Sequence, residues 1–133
     1  MTRDEQIAYW VEESERDSAV MQSLLENRHY TWALFVGHLI LEKLLKALYV
    51  KNVGLQVPRI HNLLKIARTC GLQMSDEQEE FLLEVTTYNI KTRYPDYKKS
   101  FQRKANEEFT LDRIARIEEI QKWLKEIITG LRS

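Results

Sequence analysis

The stretch 30–54, YTWALFVGHLILEKLLKALYVKNVG, is the most apolar in the chain. Trp32, Phe35, Val36, Leu39, Ile40, Leu44, Leu48 and Tyr49 recur at steps of three and four residues, the spacing of one face of an α-helix. The other positions from 33 to 41 are also largely apolar, so this helix (30–53) is expected to be covered on most sides. Gly54 stands where a glycine commonly follows a helix C-terminus. The longest uncharged run, 29–41, falls short of the roughly 20 apolar residues of a membrane span and reads as buried core.

Working outward, residues 4–26 carry Ile7, Trp10, Val11, Val20, Leu24 and Leu25 at helical spacing, with an acidic first half that suits a helix N-terminus. On the other side, 55–60 is a linker punctuated by Pro58, and a short helix follows over 62–69, closed by Gly71. Ser75 with Gln78 three residues on offers a capping box for a helix reaching about Val85. Residues 87–109 read as one long irregular stretch. Thr110 is then taken as the cap of a last helix to about Thr129, striped by Leu111, Ile114, Ile117, Ile120, Trp123, Leu124, Ile127 and Ile128. No run alternates apolar and polar residues long enough for a strand. The expected fold is all-α, a single domain over 1–133: an antiparallel, up-and-down helical bundle of about five helices, three long and two short packed across one end.

Composition narrows the function. The 133 residues contain only 4 Gly and 2 Pro, against a turn-rich β fold. Lys+Arg and Asp+Glu both number 20, so the chain is neither a wholly basic polyanion binder nor an acidic tail protein. The one cysteine, Cys70, has no disulfide partner and reads as a small packing residue. The first ten residues hold Arg3, Asp4 and Glu5 with no apolar segment, so no signal peptide is expected and a cytoplasmic location is. No membrane association, metal or cofactor is expected. The second helix has more apolar surface than a bundle this small readily covers, and that surface points to a homodimer.

Zero net charge hides opposed blocks. Asp76, Glu77, Glu79, Glu80 and Glu84 precede a segment with Lys91, Arg93, Lys98, Lys99, Arg103 and Lys104 against Asp96 alone. Tyr88, Tyr94, Tyr97 and Phe101 are interleaved with these cations. Two readings stand. The lysines either neutralise the neighbouring acidic helix, or they form a site where cations hold phosphate and aromatic faces stack on bases.

The three histidines make no metal motif. His38 and Glu42 lie one turn apart, so a side-chain hydrogen bond between them is expected. His61 is placed to cap the third helix, and His29 to lie exposed in the turn between the first two. Four isolated glycines build no phosphate loop, and no nucleophile triad can be assigned.

Several pieces together resemble the HEPN domain family, in its stand-alone prokaryotic form. LEKLLKALYVKNVG (41–54) looks like the family's second helix, with Glu42, Lys43 and Lys46 at matching places. HNLLKIA (61–67) looks like its His-x-Leu element, and TYNIKTRYPDY (87–97) like its Arg-Tyr-Pro-Asp loop. The resemblance spans most of the chain and implies a helical bundle that binds nucleotides or RNA. RNA-cleaving members carry an Arg, four to six residues, then a His, usually at a homodimer interface. Arg93 matches the arginine, but positions 98, 99 and 100 are Lys98, Lys99 and Ser100. Arg28, Arg59 and Arg68 have no His at that spacing either. An exposed lysine stays protonated near pH 7 and is a poor general base.

The leading expectation is therefore a non-catalytic nucleotide- or RNA-binding module, partner of a small nucleotidyltransferase in a toxin–antitoxin-like pair. Arg93, Lys98 and Lys99 would contact phosphate, and Tyr94 and Tyr97 would stack or pack. Asp96 would orient Arg93 or, equally, stabilise the turn after Pro95. The alternatives are a ribonuclease toxin in which His61 or His38 approaches Arg93, and a purely structural interaction bundle.

Overall fold

A computed structural model describes residues 1–130. It contains six helices: α1 (Arg3–Glu26), α2 (Tyr30–Asn52), α3 (Leu63–Thr69), α4 (Asp76–Lys91), α5 (Pro95–Lys104) and α6 (Glu107–Ile128). Among the described residues there is no strand, so the all-α bundle holds, with six helices in place of about five.

α2 is the axis of the bundle. Leu34, Ile40, Leu41, Leu44, Leu45 and Leu48 are fully buried, each contributing about 1.5–3 kcal/mol by leaving water. α1 turns back along it after a short connection. α4 also runs antiparallel to it, since Thr92 lies at Thr31 and Thr86 at the start of α3. α6 runs parallel to α2. Gly37 faces Ile117, where a Cβ would stand 2.7 Å from the Ile117 Cδ1, and Lys51 donates to the carbonyls of Ile127 and Ile128, both at 2.9 Å. α6 opposes α1 and α4 in direction, as the contacts Gln22–Glu118 and Arg113–Glu84 require. The four long helices thus form an up-down-up-down bundle in which α2 touches all the others.

Three expectations are corrected. The helix read as ending near Val85 continues to Lys91 and is a full member of the bundle. The segment 87–109 is mostly helical. Pro95 occupies the first turn of α5, where its missing N–H and fixed φ suit a helix start, with Asp96 beside it and Arg103 and Lys104 in the last turn. The last helix is capped by Asn106, whose side chain accepts from the Phe109 N–H at 2.9 Å; Thr110 lies inside it, buried.

The apolar surface expected on α2 is likewise covered within the chain. Its large exposed apolar residue is Trp32, at the N-terminal end. Exposed apolar side chains gather instead on the outer face of α4 and the start of α5: Leu83, Ile90, Tyr94 and Tyr97. Among the described residues no helix is long and apolar enough to cross a membrane.

Candidate functional site

The acidic and basic blocks sit at opposite ends of α4. From Asp76 to Lys91 the helix rises about 22 Å, well beyond the Debye length of about 8 Å at physiological salt. The acids that are paired find partners elsewhere: Glu79 with Arg68 at 3.2 Å and Glu84 with Arg113 at 2.7 Å. Among the described residues Lys91, Arg93, Lys98, Lys99, Arg103 and Lys104 enter no ion pair, so the neutralising reading of the basic block is not realised.

Arg93 follows the end of α4 and is held in place by its own helix. Its Nε donates to the Asn89 carbonyl at 2.9 Å and its Nη2 to the Asn89 Oδ1 at 2.7 Å. The guanidinium lies over the Phe35 ring at 5.5 Å and near the Tyr94 ring at 5.8 Å, within cation–π range. Trp32 meets Phe35 edge to face at 5.8 Å. The site is therefore a surface of Trp32, Phe35, Arg93 and Tyr94, with the Nη1 edge of the guanidinium free for an anion. Asp96 forms no hydrogen bond with Arg93; Asn89 does the orienting, and Asp96 sits in the first turn of α5.

Tyr94 and Tyr97 are both about half exposed. Tyr97 lines a shallow cavity with Thr86, Thr87, Ile90 and Lys91. Lys98 is half-buried and Lys99 exposed on α5. Phe101 anchors α5 by stacking on Tyr88 at 5.4 Å, and the Tyr88 hydroxyl donates to Glu84. Burial pushes the Glu84 carboxyl up, yet the hydrogen bonds from Arg113 and Tyr88 outweigh it and hold it below the ordinary value. Burial and then the Glu84 carboxylate push the Tyr88 phenol strongly up, so it stays a neutral donor.

His38 and His61 belong to a second cluster, around Glu42 of α2. Glu42 is buried and accepts from Lys46 Nζ at 3.0 Å and from His61 Nδ1 at 2.8 Å. Lys46 lies over the Trp10 ring at 5.4 Å. His38 is fully buried and its Nε2 donates to the His61 carbonyl at 3.0 Å; it stays 3.8 Å from Glu42, whose Oε1 is engaged by His61. His61 does not cap α3; Asn62 does, accepting from the Lys65 N–H at 3.1 Å. His29 is exposed, as expected. Thr86, which accepts from the Leu63 N–H at 3.0 Å, is seven residues from Arg93. Among the described residues neither His38 nor His61 forms a hydrogen bond or ring contact with Arg93: His38 is engaged by the His61 carbonyl and His61 by Glu42, while Arg93 is held by Asn89 over Phe35. Among the described residues no group of His, Cys, Asp and Glu could hold a metal ion.

His38 gives a test of this cluster. Burial lowers its pKa below the ordinary 6.5; the His61 carbonyl and Glu42 raise it less, and His61 and Lys46 oppose its charge. The unfolded chain therefore takes up a proton first as pH falls, and the associated stability, full above pH 6.5, is lost progressively below it. Glu84 adds its own loss only below about pH 4.5. Urea unfolding at pH 7.5 and 5.5 should show lower stability at 5.5, and His38→Asn should flatten that difference.

A family model, the HEPN domain, matches residues 7–127, nearly the whole chain. No curated protein and no solved structure matches.

Proposed function

The chain belongs to the HEPN domain family, and from that premise we propose that it binds a nucleotide or RNA through phosphate at Arg93 and does not cleave it. The observation that carries this reading is the Arg93 guanidinium itself: fixed by Asn89, flanked by Phe35 and Tyr94, and without an acidic partner among the described residues. Unpaired Lys98 and Lys99 on the next helix add sequence-independent attraction for phosphate. Cleavage would need an acid–base group within hydrogen-bond reach of the reacting oxygen, and Lys98, Lys99 and Ser100 supply none at the family's spacing. Incubating the purified protein with RNA tests this: intact RNA is expected, and cutting that Arg93→Ala abolishes would overturn the reading.

The ribonuclease alternative has one observation in its favour. His61 is largely exposed at its side chain and oriented through Nδ1 by a buried carboxylate, the arrangement of a general base. Among the described residues its ring is engaged by Glu42 and makes no contact with Arg93, which weighs against a shared centre in one chain.

A homodimer joined through the outer face of α4 is part of the same proposal, with a small nucleotidyltransferase as the partner protein of the pair. Leu83, Ile90, Tyr94 and Tyr97, each 46–52% exposed, form a patch of the kind that marks an interface. Sedimentation should give a dimer at micromolar concentration and a monomer for Ile90→Asp. A wild-type monomer would contradict the dimer.

A further inference from the structure

Trp32 takes no part in the family motifs, yet it stands between two cationic centres. On one side it meets Phe35, which carries Arg93 over its ring. The Thr92 hydroxyl donates to the Thr31 carbonyl at 3.3 Å, which fixes Arg93, the next residue, beside the turn of α2 that bears Trp32. On the other side Trp32 lines a cavity with Arg28, His29, Gln102 and Ala105. Arg28 lies in the connection just before the His29 cap of α2, and Trp32 in the first turn of that helix.

Arg28 is unusual in its own right. It has φ 62°, the left-handed region, one position beyond the Asn27 cap of α1. Glycine is the common occupant of such a position, and a side chain there costs free energy. Stability alone would not select arginine. Among the described residues its guanidinium enters no ion pair and no side-chain hydrogen bond.

Resting on the phosphate-binding reading of Arg93, we propose that Trp32 is a base-stacking platform between two phosphate contacts, Arg93 and Arg28. The ligand is then an unpaired single strand at least two nucleotides long. A mononucleotide brings one phosphate, whereas two cations flanking the indole call for two. In a duplex the bases are stacked on one another and cannot lie on an exposed indole. The 40% exposure of Trp32 leaves a ring face for one base, and the polar cavity beyond it takes the neighbouring phosphate.

The test is a titration with fluorescein-labelled eight-residue oligoadenylate, as RNA and as DNA, beside AMP and the matching duplex. The single strands should bind more tightly than AMP or the duplex. Trp32→Ala should weaken single-strand binding roughly 5- to 150-fold, while Trp32→Phe, which keeps a ring, should retain most of it. Arg28→Asn keeps a residue at ease in the left-handed region and should lower the salt slope by about 0.7, one phosphate on a single strand. In a Trp10→Phe/Trp123→Phe protein, where Trp32 is the only indole, the strand should quench fluorescence. Arg93-dependent binding that neither Trp32→Ala nor Arg28→Asn alters would overturn the platform and leave the Arg93 reading standing. Equal affinity for duplex and single strand would also overturn the platform. Absence of binding by any nucleic acid would overturn both.

Discussion

Glu42→Ala is expected to lower the stability of the fold by about 3–5 kcal/mol, the largest loss we foresee from a single polar side chain. Glu42 and Lys46 are 6% and 8% exposed, and among the described residues the carboxylate is the one anion paired with the ammonium. Removing it leaves a buried, uncompensated charge. It also frees His61, whose ring and carbonyl tie the 55–62 linker to α2 through Glu42 and His38. The sign of the pair's own contribution is separate. Glu42→Leu/Lys46→Met removes both charges and fills the space with apolar groups, so it should be much closer to wild type than Glu42→Ala. Urea denaturation of the single and double variants checks both statements. A Glu42→Ala loss under about 1 kcal/mol would mean that Lys46 reaches water.

Arg93→Ala should reduce affinity for a single-stranded oligonucleotide roughly 10- to 150-fold, the range expected for a hydrogen bond to a charged group lost in full. The fold should be nearly unaffected, because Arg93 is exposed and its partners lie on α4 and at the rim of α2. Arg93→Lys keeps the charge but not the planar fork that lies over Phe35 and bonds Asn89, so it should recover only part of the loss. Asn89→Ala should weaken binding less than Arg93→Ala, since it acts only by loosening the guanidinium.

Much of the bundle is legible in the chain. α2 and α6 carry long apolar stripes, and the Ser75–Gln78 capping box marks the start of α4. α5 is legible only in part: Tyr94, Tyr97 and Phe101 stand at helical spacing, but the helix is ten residues long, buries only Phe101 and is otherwise polar, so the aromatics read equally well as part of a basic loop. Its sequence marks are at the ends: Pro95 at the start, and Arg103 and Lys104 in the last turn. The cap at Asn106 is followed by Glu107 and Glu108, a start signal that the apolar register of Thr110 and Leu111 obscures.

The candidate site divides similarly. Arg93 and Tyr94 stand out in sequence as a cation and an aromatic side by side. Phe35 and Trp32 do not, because about sixty residues separate them from Arg93 and only the antiparallel packing of α2 and α4 brings them together. Asn89 is one turn before Arg93 and was within reach of helical spacing once α4 is known to extend to Lys91. The surplus of apolar residues on α2 reflects its place at the centre of the bundle, with other helices on all sides, so it gave no sign of an external interface.

The central claim is that Arg93 holds nucleic acid in a site that does not cut it. A 5′-labelled single-stranded oligoribonucleotide, incubated with wild-type and Arg93→Ala protein and run on native and denaturing gels, tests both halves at once. A shift seen with wild type only, over full-length RNA in every lane, is the predicted result. Shortened RNA that disappears with Arg93→Ala, or a shift that survives that substitution undiminished, would contradict it.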